Sequence, residues 1–201
     1  MRYPPDQKAK ARAALVRAGM RAMKVDGFNG IGVDGLAAAA DVTSGAFYSN
    51  FANKEAMLEA IVDAAVGEPF LSETESGTKA ERRVKLNEFL DDYISAAHVT
   101  DPGGGCVMPA LNADVARAGT ATREAYERKI AALASQIEDL LDGPRPDRRR
   151  RAWSIVALMV GTISISRAMS DATTQGEVID SARRTADGLV SPPKPRRTPA
   201  K

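Results

Sequence analysis

Residues 33–51 read VDGLAAAADVTSGAFYSNF, and this stretch decides the fold. Leu36 and Ala37 give a short helix over 33–40 a small apolar face, and Asp41-Val42-Thr43 breaks it. Thr43 or Ser44 can cap a second short helix, because either hydroxyl can accept from the unbonded amides of a first turn. Phe47 and Phe51 stand four residues apart, so they share one face of that helix and anchor it. Gly45 and Ala46 leave its start without bulk, open to a nucleic-acid backbone. Thr43, Ser44, Tyr48, Ser49 and Asn50 point elsewhere, and all five carry hydrogen-bonding groups of the kinds found at phosphates and base edges. Two short helices joined by a tight break are the elements of a helix-turn-helix.

Outward from this stretch the apolar spacing stays helical, and no alternating β-branched run predicts a strand. A first helix spans about 6–25, with Ala11, Leu15, Ala18, Ala22 and Val25 on one side and Gly27 as its stop. Asn53 caps a helix over 53–66 that carries Met57, Leu58, Ile61 and Val62. After a polar linker, Glu73–Lys79, further helices are predicted over 80–99, 106–118, 120–141, 148–170 and 177–190. Asp147 is expected to cap 148–170, and Pro102-Gly103-Gly104-Gly105 interrupts the series with a loop. The expectation is an all-α protein of about nine helices: a head over 1–52, a body over 53–190, and a disordered basic tail over 191–201.

At 201 residues the chain can bury a real core, and its 44% hydrophobic and 27% charged residues are those of a globular protein. The net charge of +2 conceals an asymmetry. Residues 1–54 hold eight basic side chains against four acidic ones; Lys194, Arg196, Arg197 and Lys201 add +4 in the tail, so 55–190 carries −6. A basic head on an acidic body suits a polyanionic partner at one end. Lys8, Lys10 and Arg12 are weaker candidates for backbone contact, and a solvated tail is expected. One cysteine and one histidine exclude an internal disulfide and a Cys/His zinc site. No metal or cofactor is expected. Cys106 and His98 lack a recognisable orienting third group, so hydrolase chemistry is not expected, and His98 reads as a helix-end partner. No apolar stretch reaches the length of a spanning helix, and the early Pro4-Pro5-Asp6 is unlike a signal peptide; a cytoplasmic protein with no membrane partner is expected.

The stretch from Ala13 to Val62 resembles the DNA-binding domain of TetR-family transcriptional regulators. The resembling residues are Val25-Asp26-Gly27-Phe28, Val33-Asp34-Gly35-Leu36-Ala37, Ala40-Asp41-Val42 with the 43–51 segment, and Asn53-Lys54-Glu55-Ala56-Met57-Leu58. The resemblance implies a three-helix DNA-binding head, a variable ligand-binding body, and a dimer made by the last two helices. It places Thr43, Ser44, Gly45, Tyr48, Ser49, Asn50 and Lys54 at the DNA, with Tyr48 and Lys54 on phosphates. For Thr43, Ser44 and Asn50, capping and surface polarity compete with that reading. Three positions depart from the family's habit: Met23 replaces a phenylalanine, Gly32 replaces a threonine or serine and so removes a cap, and Asn50 replaces a histidine.

Helix 148–170 is apolar around most of its circumference, which requires burial on two sides. Trp153, Val156, Val160, Gly161, Ser164 and Ala168 are assigned to a subunit interface, the small ones permitting close approach. Arg148–Arg151 oppose the dipole at its start, and acids across that interface are the expected partners. Met57, Phe89, Tyr93, Cys106, Met108, Leu111 and Tyr126 are candidate ligand-pocket lining, and equally plain core. Cys106, at a helix start after three glycines, is expected to have a lowered thiol pKa; a reactive sensor and a buried small hydrophobe are both open. The segment 105–117 is similar to that of a TetR-family subset related to electrophile-responsive repressors. These readings converge on a homodimeric, ligand-responsive transcriptional repressor without enzymatic activity. Its expected partners are a double-stranded, pseudo-palindromic operator and a small-molecule inducer. The alternative is a helical ligand carrier or adaptor without DNA binding.

Overall fold

A computed structural model describes the backbone over residues 5–191 and the side chains over 8–191. Of the expected tail, 191–201, only Ser191 falls within this range. Among the described residues there are helices and no strands. The head comprises α1 (Pro5–Gly30), α2 (Val33–Ala39) and α3 (Ser44–Asn50). The body follows as α4 (Lys54–Ala65), α5 (Phe70–Glu73), α6 (Lys79–Tyr93), α7 (Ala96–Thr100), α8 (Val107–Arg117), α9 (Thr120–Leu140), α10 (Arg145–Arg167) and α11 (Ala172–Val190).

The caps read from sequence set the head. Thr43 Oγ1 accepts from the Ala46 amide at 3.1 Å, and Asn53 Oδ1 from the Ala56 amide at 2.8 Å. Gly32 precedes α2 without a side-chain cap, as its missing hydroxyl requires. Gly27 takes φ 75°, a left-handed value that interrupts α1 where the stop is expected, but one further turn follows to Gly30.

Four boundaries differ from expectation. The 80–99 helix is two helices, because Ser95 accepts from the His98 amide at 3.2 Å and starts α7 afresh. The apolar spacing of Leu90, Tyr93, Ile94 and Ala97 runs unbroken across that junction, so periodicity alone conceals it. The short α5 adds a turn before the linker and buries Phe70. Asp171 rather than a later residue caps α11, accepting from the Thr174 amide at 2.7 Å. Pro144, not Asp147, stands at the cap position of α10; Asp147 sits in its first turn.

The core runs through the body, with α10 at its centre against α9 and α11, and α4 packed on α9. Ile155, Val156, Met159 and Ile163 of α10 all face inward and are buried. Val156 therefore packs within its own chain, which corrects its assignment to a subunit interface.

The arginine run at the start of α10 finds its acids within the same chain, not across an interface. Arg145 Nε and Arg149 Nη1 each reach the buried Glu138 carboxylate at 3.3 Å, and Arg150 pairs with Asp147 at 2.7 Å. Arg151 is itself buried. Its Nε donates to Asp147 at 2.8 Å, Nη1 to the Leu189 carbonyl at 2.7 Å, and Nη2 to the Asp142 carbonyl. One guanidinium thus ties together the ends of α9, α10 and α11. Arg151→Met should lower stability by about 2–4 kcal/mol, since buried carbonyls lose charged donors. Arg150→Met, at an exposed pair, should cost about 1 kcal/mol or less. Urea denaturation of the two variants checks this; equal losses would remove Arg151 from the role described.

Candidate functional site

The helix-turn-helix is held rigid before it meets any partner. Phe47 and Phe51 are buried with ring centroids 5.6 Å apart, and Tyr48 stands edge-on to Phe47 at 5.4 Å. Arg12 lies over the Phe51 ring at 4.3 Å and donates to the Asn50 carbonyl at 2.8 Å, closing the C-terminal end of α3. Ser44 Oγ donates to Asp34 Oδ1 at 2.6 Å, tying α3 to α2.

Against that support, Tyr48 is 59% exposed, and Thr43, Gly45 and Ser49 are exposed as well. A Cβ on Gly45 would have only the Thr43 hydroxyl nearby, at 3.7 Å. No crowding within the chain demands glycine there, so its smallness serves the outer side. Ser44 and Asn50 are half-buried and engaged internally; the Asn50 amide donates to Ala46 O at 2.8 Å. Lys54 Nζ donates to the Ile31 carbonyl at 3.1 Å and sits 4.3 Å from the Phe28 ring centroid. One of its three donors is used, so a phosphate contact remains open. The seven candidate residues all lie on α3, its cap and the start of α4.

Among the described residues, three hydrogen bonds tie α1 and α4 to α8 and its flanking turns. Asp114 Oδ2 accepts from the Phe28 amide at 3.4 Å, Glu55 Oε1 accepts from the Gly119 amide at 2.6 Å, and Lys24 Nζ donates to the Gly105 carbonyl at 2.6 Å. Sequence reading missed all three. They link residues on α1 and α4 with α8 and its flanking turns, 64 to 86 positions away, and no local pattern encodes such a pairing.

Beside Lys24 the body opens a cleft of about 580 Å³ between α1, α4, α6 and the start of α8. Phe89, Tyr93, Cys106 and Met108 line it, as read from sequence. Met57 and Leu111 do not; they are core residues, and Met57 Sδ would stand 2.7 Å from a Cβ on Gly19, where α1 and α4 approach closely. Tyr126 also lies outside the cleft wall. Burial pushes its hydroxyl up to about 12, only partly offset by Asn112. Met20, Lys24, Glu68, Glu73, Lys85, Glu88, Asp92 and His98 complete the cleft's chemistry and were absent from the sequence list.

His98 organises the inner end. Its Nδ1 pairs with the Tyr93 carbonyl at 2.7 Å, which makes that nitrogen the donor, and Nε2 accepts from the Cys106 amide at 2.9 Å. The imidazole therefore faces the Cys106 backbone and does not serve as a base for the thiol. A Cβ on Gly105 would stand 2.6 Å from Nε2, so glycine is required there by close approach. The thiol caps α8, accepting from the Met108 amide at 3.5 Å. Burial nevertheless raises its pKa, outweighing that amide and the Lys24 charge. This corrects the expected activation by a helix start: desolvation of the thiolate is the larger effect. Tyr93 lies beside the sulfur. Its hydroxyl pKa is held well above the usual value by burial first and Cys106 second, yet it has no well-aligned hydrogen-bond partner among the described residues.

The described residues thus join a supported, outward-facing helix-turn-helix to a helical body with a cleft. The family model described as "Bacterial regulatory proteins, tetR family" matches residues 15–61. That match covers the head and the start of α4, and it makes this segment similar to the DNA-binding segment of those regulators. The chain is 30% identical over 101 residues to the HTH-type transcriptional repressor DhaR of Mycobacterium sp. strain GP1, an alignment spanning half of each chain. The fold is similar to that of E. coli NemR in its reduced form (TM-score 0.69, 20% identity, 92% of this chain and 99% of that one). It is also similar to a TetR-family regulator from Cytophaga hutchinsonii (TM-score 0.71, 22% identity, 95% and 100%). Among the described residues no helix is long and apolar enough to cross a membrane.

The His98 geometry carries a pH dependence. Burial lowers its pKa from 6.5, so the unfolded chain takes up the proton first as pH falls. The folded state should lose stability below pH 6.5, down to the lower folded value, because protonated Nε2 can no longer accept from Cys106. Urea midpoints at about pH 7.5 and about 5.5 should fall further for the wild type than for His98→Asn. Parallel falls would detach His98 from the effect.

Proposed function

We propose that the chain is a cytoplasmic, homodimeric transcriptional repressor that binds a pseudo-palindromic operator and leaves it when a small molecule fills the body cleft. The observation that carries the reading is the exposure of Thr43, Gly45, Tyr48 and Ser49 on a helix whose opposite face is locked by Phe47, Phe51 and Arg12. Beyond the Thr43 cap, the Ser49 bond to the Ala46 carbonyl and the Tyr48–Phe47 ring contact, these groups face outward. A carrier without DNA binding leaves that exposure unexplained.

Dimerisation rests on α10 and α11. Ile165 is 53% and Trp153 37% exposed, and a groove lined by Ala157, Leu158, Gly161 and Val178 runs between the two helices. Ser164 and Ala168 are exposed on the same helix, and Val160 is half-buried. Paired with a second copy, this surface would set two α3 helices about one DNA turn apart or slightly more. A Cβ on Gly161 meets nothing within 4 Å, so Gly161→Leu enters the open groove without a clash at its first carbon and favours the helix. Sedimentation should find the wild type at twice the 21.4 kDa chain mass and Gly161→Leu as a folded monomer. A variant that stays dimeric would place the interface elsewhere.

DNA flanking the chain's own gene should be retarded by the protein in a gel. Tyr48→Ala and Lys54→Ala should weaken binding on all sequences, Lys54→Ala also lowering the log–log salt slope by about one. Thr43→Ala and Ser49→Ala should change base preference by roughly 1–3 kcal/mol. A Lys54→Ala protein with unchanged affinity and slope would refute the phosphate contact.

A further inference from the structure

The cleft's inner end holds an ammonium without a counterion. Lys24 is 8% exposed, lines the cleft, and has the Gly105 carbonyl as its one hydrogen-bond partner among the described residues. A lysine has three donors, so two are left over. Tyr93, a residue 6% exposed, lines the same cleft, and its hydroxyl, beside the Cys106 thiol, is likewise without a well-aligned partner among the described residues. Arg167 and Arg21 add positive charge around Lys24, and Asp101 is the acid acting on it from nearby. Asp101 is spent on its own turn, where it accepts from the Gly104 amide at 2.8 Å. Burying a charge without an ionic partner is costly, and here the cost is already reflected in a lowered Lys24 pKa, with desolvation the largest cause.

We propose that Lys24 and Tyr93 form the head-group site for an amphipathic monocarboxylate, and that the carboxylate competes with the Gly105 carbonyl for the Lys24 ammonium. The ligand's apolar part lies against Phe89, Met20 and Met108, and a volume of about 580 Å³ admits an arylalkyl or medium-chain acid. The acids at the mouth, Glu68, Glu73, Glu88 and Asp92, oppose this charge, but the three beyond half-buried Glu68 are exposed and screened by water and salt. Glu68 is also paired with Lys129 at 3.4 Å. Their repulsion acts on the approach of an anion; the desolvated inner end decides its orientation once bound.

Lys24 belongs to α1, the first helix of the head, and Gly105 to the turn before α8. A carboxylate that draws the ammonium away loosens one of the two described hydrogen bonds that tie α1 to α8 and the turn before it. Ligand recognition and the signal to the head are then the same event. This regulatory step rests on the proposed repressor reading; the ligand chemistry does not.

Calorimetry on the DNA-free protein separates the two. 4-Phenylbutyrate and octanoate should bind about tenfold or more tightly than 4-phenylbutanamide and octanamide. Lys24→Met should abolish that preference while leaving the amides' affinity unchanged, and Tyr93→Phe should reduce it. Lys24→Gln serves if the methionine variant fails to fold by circular dichroism. In gel shifts the acids should release wild-type protein from DNA but not Lys24→Met. Acid and amide binding equally, neither binding below millimolar, or 4-phenylbutylamine binding best would each overturn the site. Acid selectivity in a protein that retards no DNA would keep the site and refute the repressor reading.

Discussion

Every α-helix ends with carbonyls that its own turns cannot satisfy, and in this protein basic side chains from other segments satisfy them. Arg12 reaches Asn50 at the end of α3, and Lys54 reaches Ile31 just after α1. Arg183 takes Asp91 and Ile94 at the end of α6, and Arg167 takes His98 and Val99 in α7. Lys79 and Arg151 close the end of α9 at Leu141 and Asp142, while Arg151 and Arg83 close α11 at Leu189 and Val190. A long cation is well suited to this task. It brings charge to the negative end of a helix dipole and spans the gap between helices while its methylenes cover apolar surface. Removing any one leaves a carbonyl unbonded and a junction open, so element order and tertiary packing depend on the same contacts.

This use of cations changes what the charge distribution means. Eight basic residues against four acids in residues 1–54 suggest a polyanion partner. Yet Arg12 is committed to α3, Lys24 to the Gly105 turn, and Lys54 in part to Ile31. The exposed face of α3 is consequently built less from bulk positive charge than from rigid placement of polar side chains. Arginine suits the fixed joints because its planar donors bind two carbonyls at once, as Arg183 and Arg151 do. At Gly105, beside the cleft, the joint is held by a lysine, whose point charge can change partners.

Legibility follows the same division. Local chemistry could be read directly: the Thr43 and Asn53 caps, the Gly27 stop, and the Phe47–Phe51 anchor all stand where residue type and spacing put them. Four of the seven residues expected at a pocket line the cleft, but the spacing that selects apolar positions cannot tell Met108, at a cleft wall, from Met57, packed where α4 meets α1. Helix 148–170 is apolar all round, yet which of its faces meets its own chain depends on α9 and α11. Val156 turned inward, whereas Ile165 remained exposed. The cations that close helix ends were invisible because each bond joins segments distant in sequence. The helix-start argument at Cys106 failed on magnitude: a cap amide at 3.5 Å is weaker than the burial it works against.

Among the described residues α1 and α4 share few polar bonds with α8 and its flanking turns, and their distribution limits how a signal can pass. Phe28–Asp114 and Gly119–Glu55 lie toward one end of α8, and Lys24–Gly105 lies at the other, beside the cleft. A bound molecule shifts the equilibrium between two head positions only as far as its affinities for them differ. Filling apolar volume alone contacts both positions alike and shifts little. A group that exchanges partners with Lys24 binds one arrangement and not the other. By reciprocity, whatever factor it removes from the head's affinity for its target, the target removes from the ligand's. On the proposed reading, the third joint is where chemistry in the cleft and geometry of α3 are coupled.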